Sequence, residues 1–145
     1  MIYFDTSYLV RLYFEDPGYG QVRELAATDH VTCAAHGQSE AIAAFHRKFR
    51  ERVIPQKSYR ALLAQFETDN QAEAVRWLPT GPDVMAKIRQ VYRDLPSDIY
   101  LRGADAIHLA TAAVHGQQTI YSNDAHLLAA AKHFGVKGQN VIPLP

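Results

Sequence analysis

Four acidic side chains lie at positions where carboxylates could gather to bind a metal ion. Asp5 directly follows an apolar run, and Asp124 comes shortly after a second one. Asp105 opens an alanine-rich helical segment, and Glu40 lies within another helix. Carboxylates that meet at one site repel by about 4 kcal/mol per close pair at an effective dielectric constant near 20. They therefore stay together only if they are protonated or if a cation neutralises them.

The chemistry that suits such a cluster is phosphodiester hydrolysis with a hard divalent cation. Oxygen ligands match Mg²⁺ or Mn²⁺, and Cys33, the only cysteine, excludes a zinc knuckle or a disulfide framework. A bound ion would generate hydroxide near neutral pH, orient the phosphate and stabilise the leaving oxygen. Arg47 follows Glu40 by two helical turns on the same face, an arrangement that suits a cleft holding a metal and then a phosphate.

Each acid also has an ordinary structural explanation. The two acids that follow strands stand where helices begin, and a carboxylate there is favoured by about 0.3–1 kcal/mol through the helix dipole. Glu40 points almost directly opposite the predicted buried stripe of Ile42, Phe45 and Phe49, so it could be a solvated side chain. Cys33 is interpreted as a small buried apolar side chain.

The helix that contains Asp105 is expected to pack closely on a sheet. Its wheel places Ile107, Ala110 and Val114 on the apolar face, with Asp105 well off it and near the interior rim. His108, one turn after Asp105, could hydrogen-bond an acid, but a structural role is the preferred interpretation.

The elements that would position the acids alternate between short apolar runs and longer helical segments. Strands separated by helices imply an α/β fold with a central, mostly parallel sheet flanked by helices. Sites in such sheets form beyond the carboxyl ends of the strands. The length favours a single domain over residues 1–145. Strands are predicted at 2–4, 30–34, 74–78, 119–122 and 141–142, and helices at 6–14, 20–28, 37–52, 56–70, 82–95, 103–115 and 124–134.

Composition excludes several classes of protein. Apolar residues make up 48% and charged residues 21%, which excludes whole-chain disorder. Fifteen Lys and Arg balance fifteen Asp and Glu, which argues against binding of nucleic acid by bulk charge alone. The charge is unevenly distributed, because residues 1–40 carry six acids and two bases while 46–60 carry six bases and one acid. The basic stretch is either a solvated helix face or a rim that attracts the phosphate groups of a substrate.

Membrane insertion and secretion are not expected. No apolar run approaches the about 20 residues that a membrane span requires. The first residues contain Asp5 and lack a basic region, unlike a signal peptide. We therefore expect a cytoplasmic protein that does not associate with a membrane.

Four motifs follow one another along the chain. They are FDTSYLV at 4–10, Ser39-Glu40, ADAIHLA at 104–110 and SNDAHL at 122–127. In order and spacing they resemble the motifs of PIN-domain ribonucleases. The chain length and the motif layout are most similar to VapC-type toxins of bacterial and archaeal toxin–antitoxin pairs, and only 52–100 carries little of the resemblance. The resemblance implies a three-layer PIN fold, Mg²⁺- or Mn²⁺-dependent endoribonuclease activity, a homodimer and a cognate antitoxin that blocks the site.

The resemblance also assigns roles to the acids. Asp5 and Asp105 would hold the metal most directly, Glu40 would ligate it or steer the attacking water, and Asp124 would act directly or through water. Four neighbours would cap helices or hydrogen-bond the acids, and four bases are candidates for RNA binding. The supporting residues are Thr6, Ser7, Ser122 and Asn123, and the bases are Arg47, Lys48, Arg50 and Arg102.

Two other functions remain open at the level of the sequence. One is a catalytically silent PIN scaffold that binds RNA or a partner protein. The other is a phosphatase of the haloacid dehalogenase type with Asp5 as nucleophile. That family expects a second aspartate two positions later, where this chain has Ser7.

Overall fold

Five short strands and seven α-helices form the chain. The computed structural model describes residues 1–145. The strands are β1 (Ile2–Phe4), β2 (Val31–Ala34), β3 (Val75–Leu78), β4 (Thr119–Tyr121) and β5 (Lys137–Gln139). The helices are α1 (Thr6–Val10), α2 (Tyr19–Ala26), α3 (Gly37–Arg50), α4 (Gln56–Gln71), α5 (Pro82–Asp94), α6 (Gly103–Val114) and α7 (Ala125–Ala130), and a 3₁₀ turn covers Ala131–Phe134.

All five strands form one parallel sheet in the order β3-β2-β1-β4-β5. The central strand β1 pairs with β2 on one side and with β4 on the other, with Tyr3 opposite both Thr32 and Ile120. The carboxyl ends of β1 and β4 are therefore neighbours at one edge. This confirms the predicted α/β class with a parallel sheet.

Helices cover both faces of the sheet, which gives three layers. Tyr3 packs with buried residues of α5, α6 and α7 on one face. Ile2 and Phe4, which point the opposite way, pack with residues of α1, α2, α3 and α4 on the other. The alternation of side chains along β1 thus joins two separate apolar cores. No helix combines the length and apolar composition needed to cross a membrane.

The predicted last strand at 141–142 is wrong. The fifth strand is Lys137–Gln139, which pairs with β4 although it carries no large apolar side chain. Ile142 is buried instead against Gly18, whose backbone has φ +86 and where a Cβ would come within 2.5 Å of the Ile142 side chain. The apolar character of this segment therefore reflects packing on α2 rather than strand pairing.

Helix α1 is shorter than the predicted helix 6–14. After Val10, the amides of Arg11, Leu12 and Tyr13 bond to carbonyls three residues back, so the chain continues in tighter turns. The guanidinium of Arg11 also donates to the carbonyls of Ser7 and Pro17. These contacts turn the chain away from the helix axis.

The buried face of α3 also differs from the predicted stripe. The helix buries Gly37, Ala41 and Phe45, while Ile42 is exposed. Gly37 allows a close approach to β2, because a Cβ there would lie 2.5 Å from the Sγ atom of Cys33. This approach rotates α3 relative to the expected wheel. Cys33 is buried as predicted, and burial, together with nearby carboxylates, raises the pKa of its thiol.

Helix α6 is buried on nearly all sides rather than along one face. It packs between the sheet and α5, so Ala106, Leu109 and Ala112 are fully buried, whereas Ile107 and Val114 are only partly buried. The predicted apolar face was therefore incomplete. The expectation that this helix packs closely and holds its acid near the interior is confirmed.

Candidate active site

Asp5 lies at the carboxyl end of β1 and caps α1. Its Oδ1 atom accepts hydrogen bonds from the Ser7 hydroxyl at 2.6 Å and the Tyr8 amide at 3.1 Å. Its Oδ2 atom accepts one from the Ser122 hydroxyl at 2.5 Å. Only 4% of Asp5 is exposed, and burial raises the pKa of its carboxyl, although the nearby His108 and the three donors oppose this. Asp5 is thus both a cap and a buried acid.

Two serine hydroxyls join the ends of β1 and β4. The Ser122 hydroxyl that donates to Asp5 also accepts from the Asp124 amide at 2.9 Å. The Ser7 hydroxyl likewise accepts from the Asn123 amide at 3.1 Å. The supporting positions predicted for both serines agree with these contacts. The Asn123 side chain contacts no acid, because its carbonyl oxygen accepts from Asn140 at 3.1 Å.

Arg102 connects two of the four acids. Its Nε donates to Oδ2 of Asp105 and its Nη2 donates to Oδ2 of Asp124, both at 3.0 Å. Asp105 is buried, with 7% of the residue exposed. The other oxygen of Asp124 caps α7 by accepting from the amides of His126 and Leu127. Arg102, predicted as an RNA-binding base, is therefore already engaged with the acids.

Glu40 is half-buried rather than solvated. Its Oε1 atom accepts from the Thr6 hydroxyl and from Nε2 of His108, both at 2.8 Å. Nε2 of His36 lies 3.2 Å from the same oxygen but donates to the Ala104 carbonyl at 3.1 Å. Burial would raise the pKa of the carboxyl, but these donors outweigh it and the pKa is lowered. No protein group donates to Oε2 of Glu40. The carboxylate is therefore ionised, fixed through one oxygen and free at the other.

His108 and His36 are the residues that sequence reasoning underestimated or missed. His108 hydrogen-bonds Glu40, so the contact with an acid that the sequence left as the second interpretation is present. Its Nδ1 lies 2.9 Å from the Tyr3 hydroxyl, which also accepts from the Ala34 amide. Since a carboxylate only accepts, Nε2 of His108 carries the proton that points to Glu40, and Nδ1 is the atom that pairs with the Tyr3 hydroxyl. His36 follows β2, so the rule applied to residues after β1 and β4 would have identified it.

The donor set fits a hard divalent cation. Asp5 and Asp105 are buried carboxylates, and the Oδ2 atoms of Asp105 and Asp124 already converge on one positively charged group. A cation would favour ionised Asp5, which burial disfavours. Glu40 belongs to a separate mixed group, in which the ligand atoms of His36, Glu40 and His108 lie within 4.8 Å of one another and which includes none of the three aspartates. Of the two imidazoles, that of His108 hydrogen-bonds Glu40.

A surface cleft of about 410 Å³ begins next to Asp5, and Thr6 and Ser7 line it. Two of the predicted RNA-binding bases, Arg47 and Lys48, line the same cleft. Arg47 pairs with Glu51 at 2.7 Å, and Lys48 pairs with Asp16 at 2.6 Å. Arg50 is exposed in the last turn of α3. The cleft therefore carries basic side chains whose charges are partly balanced by acids.

Comparisons with known proteins identify the family and the fold of the chain. The sequence model of the family described as "PIN domain" matches residues 2–133. No curated protein matches the chain significantly. The fold is similar to the crystal structure of FitAcB from Neisseria gonorrhoeae, with a TM-score of 0.75, 19% identity, and coverage of 95% of this chain and 96% of that one.

Two further solved structures share the fold. VapBC2 from Rickettsia felis, bound to a DNA fragment from its promoter, gives a TM-score of 0.68 at 13% identity and covers 97% of this chain and 98% of that chain. VapC20 from Mycobacterium tuberculosis, described as a Sarcin-Ricin loop cleaving toxin, gives 0.65 at 22% identity, covering 90% and 95%. At these identities the likeness concerns the fold.

Proposed function

Because the chain belongs to the PIN-domain family, we propose that it is a Mg²⁺- or Mn²⁺-dependent endoribonuclease. The observation that carries the proposal is one hydrogen-bonded network that joins acids from separate parts of the chain. Ser122 links Asp5 to the start of α7, and Arg102 links Asp105 to Asp124. Buried carboxylates at one sheet edge are the ligands that a hard cation requires.

Each acid has a distinct role in the proposed reaction. Asp5 and Asp105 hold the metal, and Asp124 holds it directly or through water. Glu40, kept ionised by its contacts with Thr6 and the two histidines, orients the attacking water through its free Oε2 atom. The bound metal supplies activation of water and neutralisation of phosphate charge. Ser122 keeps the Asp5 carboxylate in place, as the hydrogen-bonded neighbours of metal ligands commonly do.

Cleavage of RNA by the purified protein tests the proposal. We expect total RNA to be cut in Mg²⁺ or Mn²⁺ and to stay intact in EDTA. Asp5→Asn should abolish cleavage because it removes a ligand charge with little change in shape. Asp94→Asn, at an exposed carboxylate in the last turn of α5, is the matched control and should cleave normally. Equal cleavage by wild type and Asp5→Asn would overturn the role of Asp5.

The alternative functions predict different results. A silent scaffold would bind RNA equally with and without EDTA and would not cut it. A phosphatase of the haloacid dehalogenase type would release phosphate from small esters and could be trapped as phospho-Asp5. The Ser7 hydroxyl donates to Asp5 at the position where that enzyme type expects a second aspartate, which favours the nuclease.

We also propose a protein partner, an antitoxin that covers the active site. The support is the likeness to FitAcB and VapBC2 described above. Co-expression with the product of a small adjacent reading frame should give a stable complex that does not cut RNA.

We propose, in addition, that the protein is a homodimer and acts in the cytoplasm. Light scattering of the purified protein tests the dimer and should give twice the chain mass of 16.3 kDa. A monomer in that measurement would exclude the dimer but not the nuclease.

A further inference from the structure

Arg102 stands where a bound cation would be expected between two of the acids. Its guanidinium reaches one oxygen of Asp105 and one of Asp124, and both contacts measure 3.0 Å. The remaining oxygen of Asp124 is committed to capping α7. The Asp124 oxygen that faces Arg102 is therefore the one that this acid can offer to a metal, and Arg102 also occupies one of the two oxygens of Asp105.

The arrangement allows Arg102 to leave at little cost. The Arg102 side chain is 58% exposed, whereas that of Asp105 is 9% exposed. Ion pairs with an exposed partner contribute little to stability, because water solvates the released group. Arg102 itself precedes α6 in an extended backbone conformation, so its side chain can turn outward without disturbing the helix. The buried acid would be left with a charge that another cation must balance.

We propose that Arg102 is an internal cation that the divalent metal displaces, and that the displaced guanidinium then binds a phosphate of the RNA. This inference rests on the proposed function, because it assigns a positioning residue to the same site. A divalent ion between Asp105 and Asp124 repels the guanidinium while neutralising both acids more fully. A released guanidinium presents paired N–H groups that match phosphate oxygens. Metal binding would therefore precede and strengthen RNA binding.

Metal affinity measured by calorimetry tests the first part of the proposal, the displacement of Arg102, and does not depend on RNA cleavage. Titration of Mn²⁺ into Arg102→Gln should show about three- to tenfold tighter binding than into wild type, since two exposed ion pairs no longer compete. Arg102→Lys keeps the charge but cannot span both acids, so its Mn²⁺ affinity should lie between those of wild type and Arg102→Gln. Arg76→Gln is the control, because Arg76 contacts Met1 at the amino end of the sheet. It should bind Mn²⁺ like wild type.

Thermal stability without metal gives a second readout, in which Arg102→Gln should perform worse than wild type although it binds Mn²⁺ more tightly. In EDTA, Arg102→Gln should unfold at a lower temperature than wild type, since Asp105 and Asp124 lose their counter-charge. Saturating Mn²⁺ should restore the unfolding temperature of Arg102→Gln to at least the wild-type value.

RNA binding tests the second part of the proposal, the contact between the displaced guanidinium and a phosphate. Anisotropy of a labelled single-stranded RNA in Ca²⁺, checked by gel to be intact, should show that Ca²⁺ strengthens binding in wild type but not in Arg102→Gln.

The outcomes separate this inference from the proposed function. If wild type binds no Mn²⁺, the metal-dependent nuclease itself is wrong. If wild type binds Mn²⁺ and cuts RNA, but Arg102→Gln has unchanged Mn²⁺ affinity, the displacement of Arg102 is overturned alone. If Arg76→Gln binds Mn²⁺ as tightly as Arg102→Gln, or if Arg102→Lys has the Mn²⁺ affinity of wild type, the change in affinity is due to net charge. Either result would also overturn the displacement of Arg102. Equal strengthening of RNA binding by Ca²⁺ in wild type and Arg102→Gln would overturn the phosphate contact.

Discussion

Replacement of Ser122 by alanine should destabilise the metal-free protein more than its small size suggests. Its hydroxyl donates to Asp5 at 2.5 Å and accepts from the Asp124 amide at 2.9 Å. Ser122 is 0% exposed, so water does not readily replace either partner. A hydrogen bond to a charged group contributes about 1.5–3 kcal/mol and a neutral one about 1 kcal/mol. Allowing for the hydroxyl that is no longer buried, we expect a loss of about 2–3 kcal/mol.

The loss should depend on pH in a defined direction. Burial raises the pKa of Asp5, and the Ser122 hydroxyl acts against this rise. Removing the hydroxyl raises the pKa of folded Asp5 further, so ionised Asp5 destabilises the variant more than wild type. The difference is therefore complete above that folded pKa and shrinks as the pH falls through it, because a protonated Asp5 needs no donor.

Urea unfolding in EDTA at about pH 7.5 and about pH 4.5, with steps between them, measures both effects. The loss at the higher pH corresponds to a fall in Tm of roughly 6–12 °C for a chain of this size. Ser122→Thr keeps the hydroxyl and should recover most of the stability. Ser58→Ala, at an exposed position in α4, should change it little. An equal loss at both pH values would refute the assignment of the penalty to Asp5.

Three other perturbations have defined outcomes. The pKa of Glu40 is lowered in the folded protein, so its ionised form stabilises the fold. This stabilisation is complete above the pKa of a glutamate in the unfolded chain, about 4.3, and is lost as the pH falls below it towards the folded pKa. Glu40→Gln should therefore be less stable than wild type at neutral pH, with the gap in urea midpoint closing as the pH falls towards 3, and a constant gap would contradict this. Gly37→Ala should destabilise by about 1–3 kcal/mol because its Cβ would lie 2.5 Å from Cys33, whereas Gly20→Ala, with nothing within 4 Å, should stabilise α2 by up to about 1 kcal/mol in thermal melts. Mn²⁺ at a hundred times its Kd should stabilise wild type by about 2.7 kcal/mol, and an equal gain in Asp5→Asn would exclude Asp5 as a ligand.

The positions of Asp5 and Asp124 were predictable from local sequence and one topological rule. Apolar runs identify buried strands, and the carboxyl ends of parallel strands meet at one edge. The same reasoning failed for β5, because Lys137–Gln139 pairs through its backbone at the edge of the sheet and has no apolar pattern. Ile142 has apolar character but uses it for packing against Gly18, and its neighbour Val141 is exposed.

The surroundings of Glu40 could not be read from the chain. A helical wheel gives the angle of Glu40 relative to Phe45, but it does not say which element stands opposite. That depends on how α3 approaches β2 through Gly37 and on His108 from a distant helix. The partners of Arg102 were hidden for the same reason, since a base near an acid in sequence can equally face solvent or substrate. Contacts between distant segments are set by packing rather than by local pattern.

The contact between Asp5 and Ser122 joins residues 117 positions apart, which has a consequence for synthesis of the protein. β1 leaves the ribosome first, but its neighbour β4 follows only after β2, β3 and six intervening helices. Parallel pairing between such distant segments forms late in folding. A nascent chain that has not yet exposed β4 therefore lacks Asp124 and the hydroxyl that holds Asp5. If the protein cuts RNA, this order of assembly delays its activity until the chain that carries it is nearly complete.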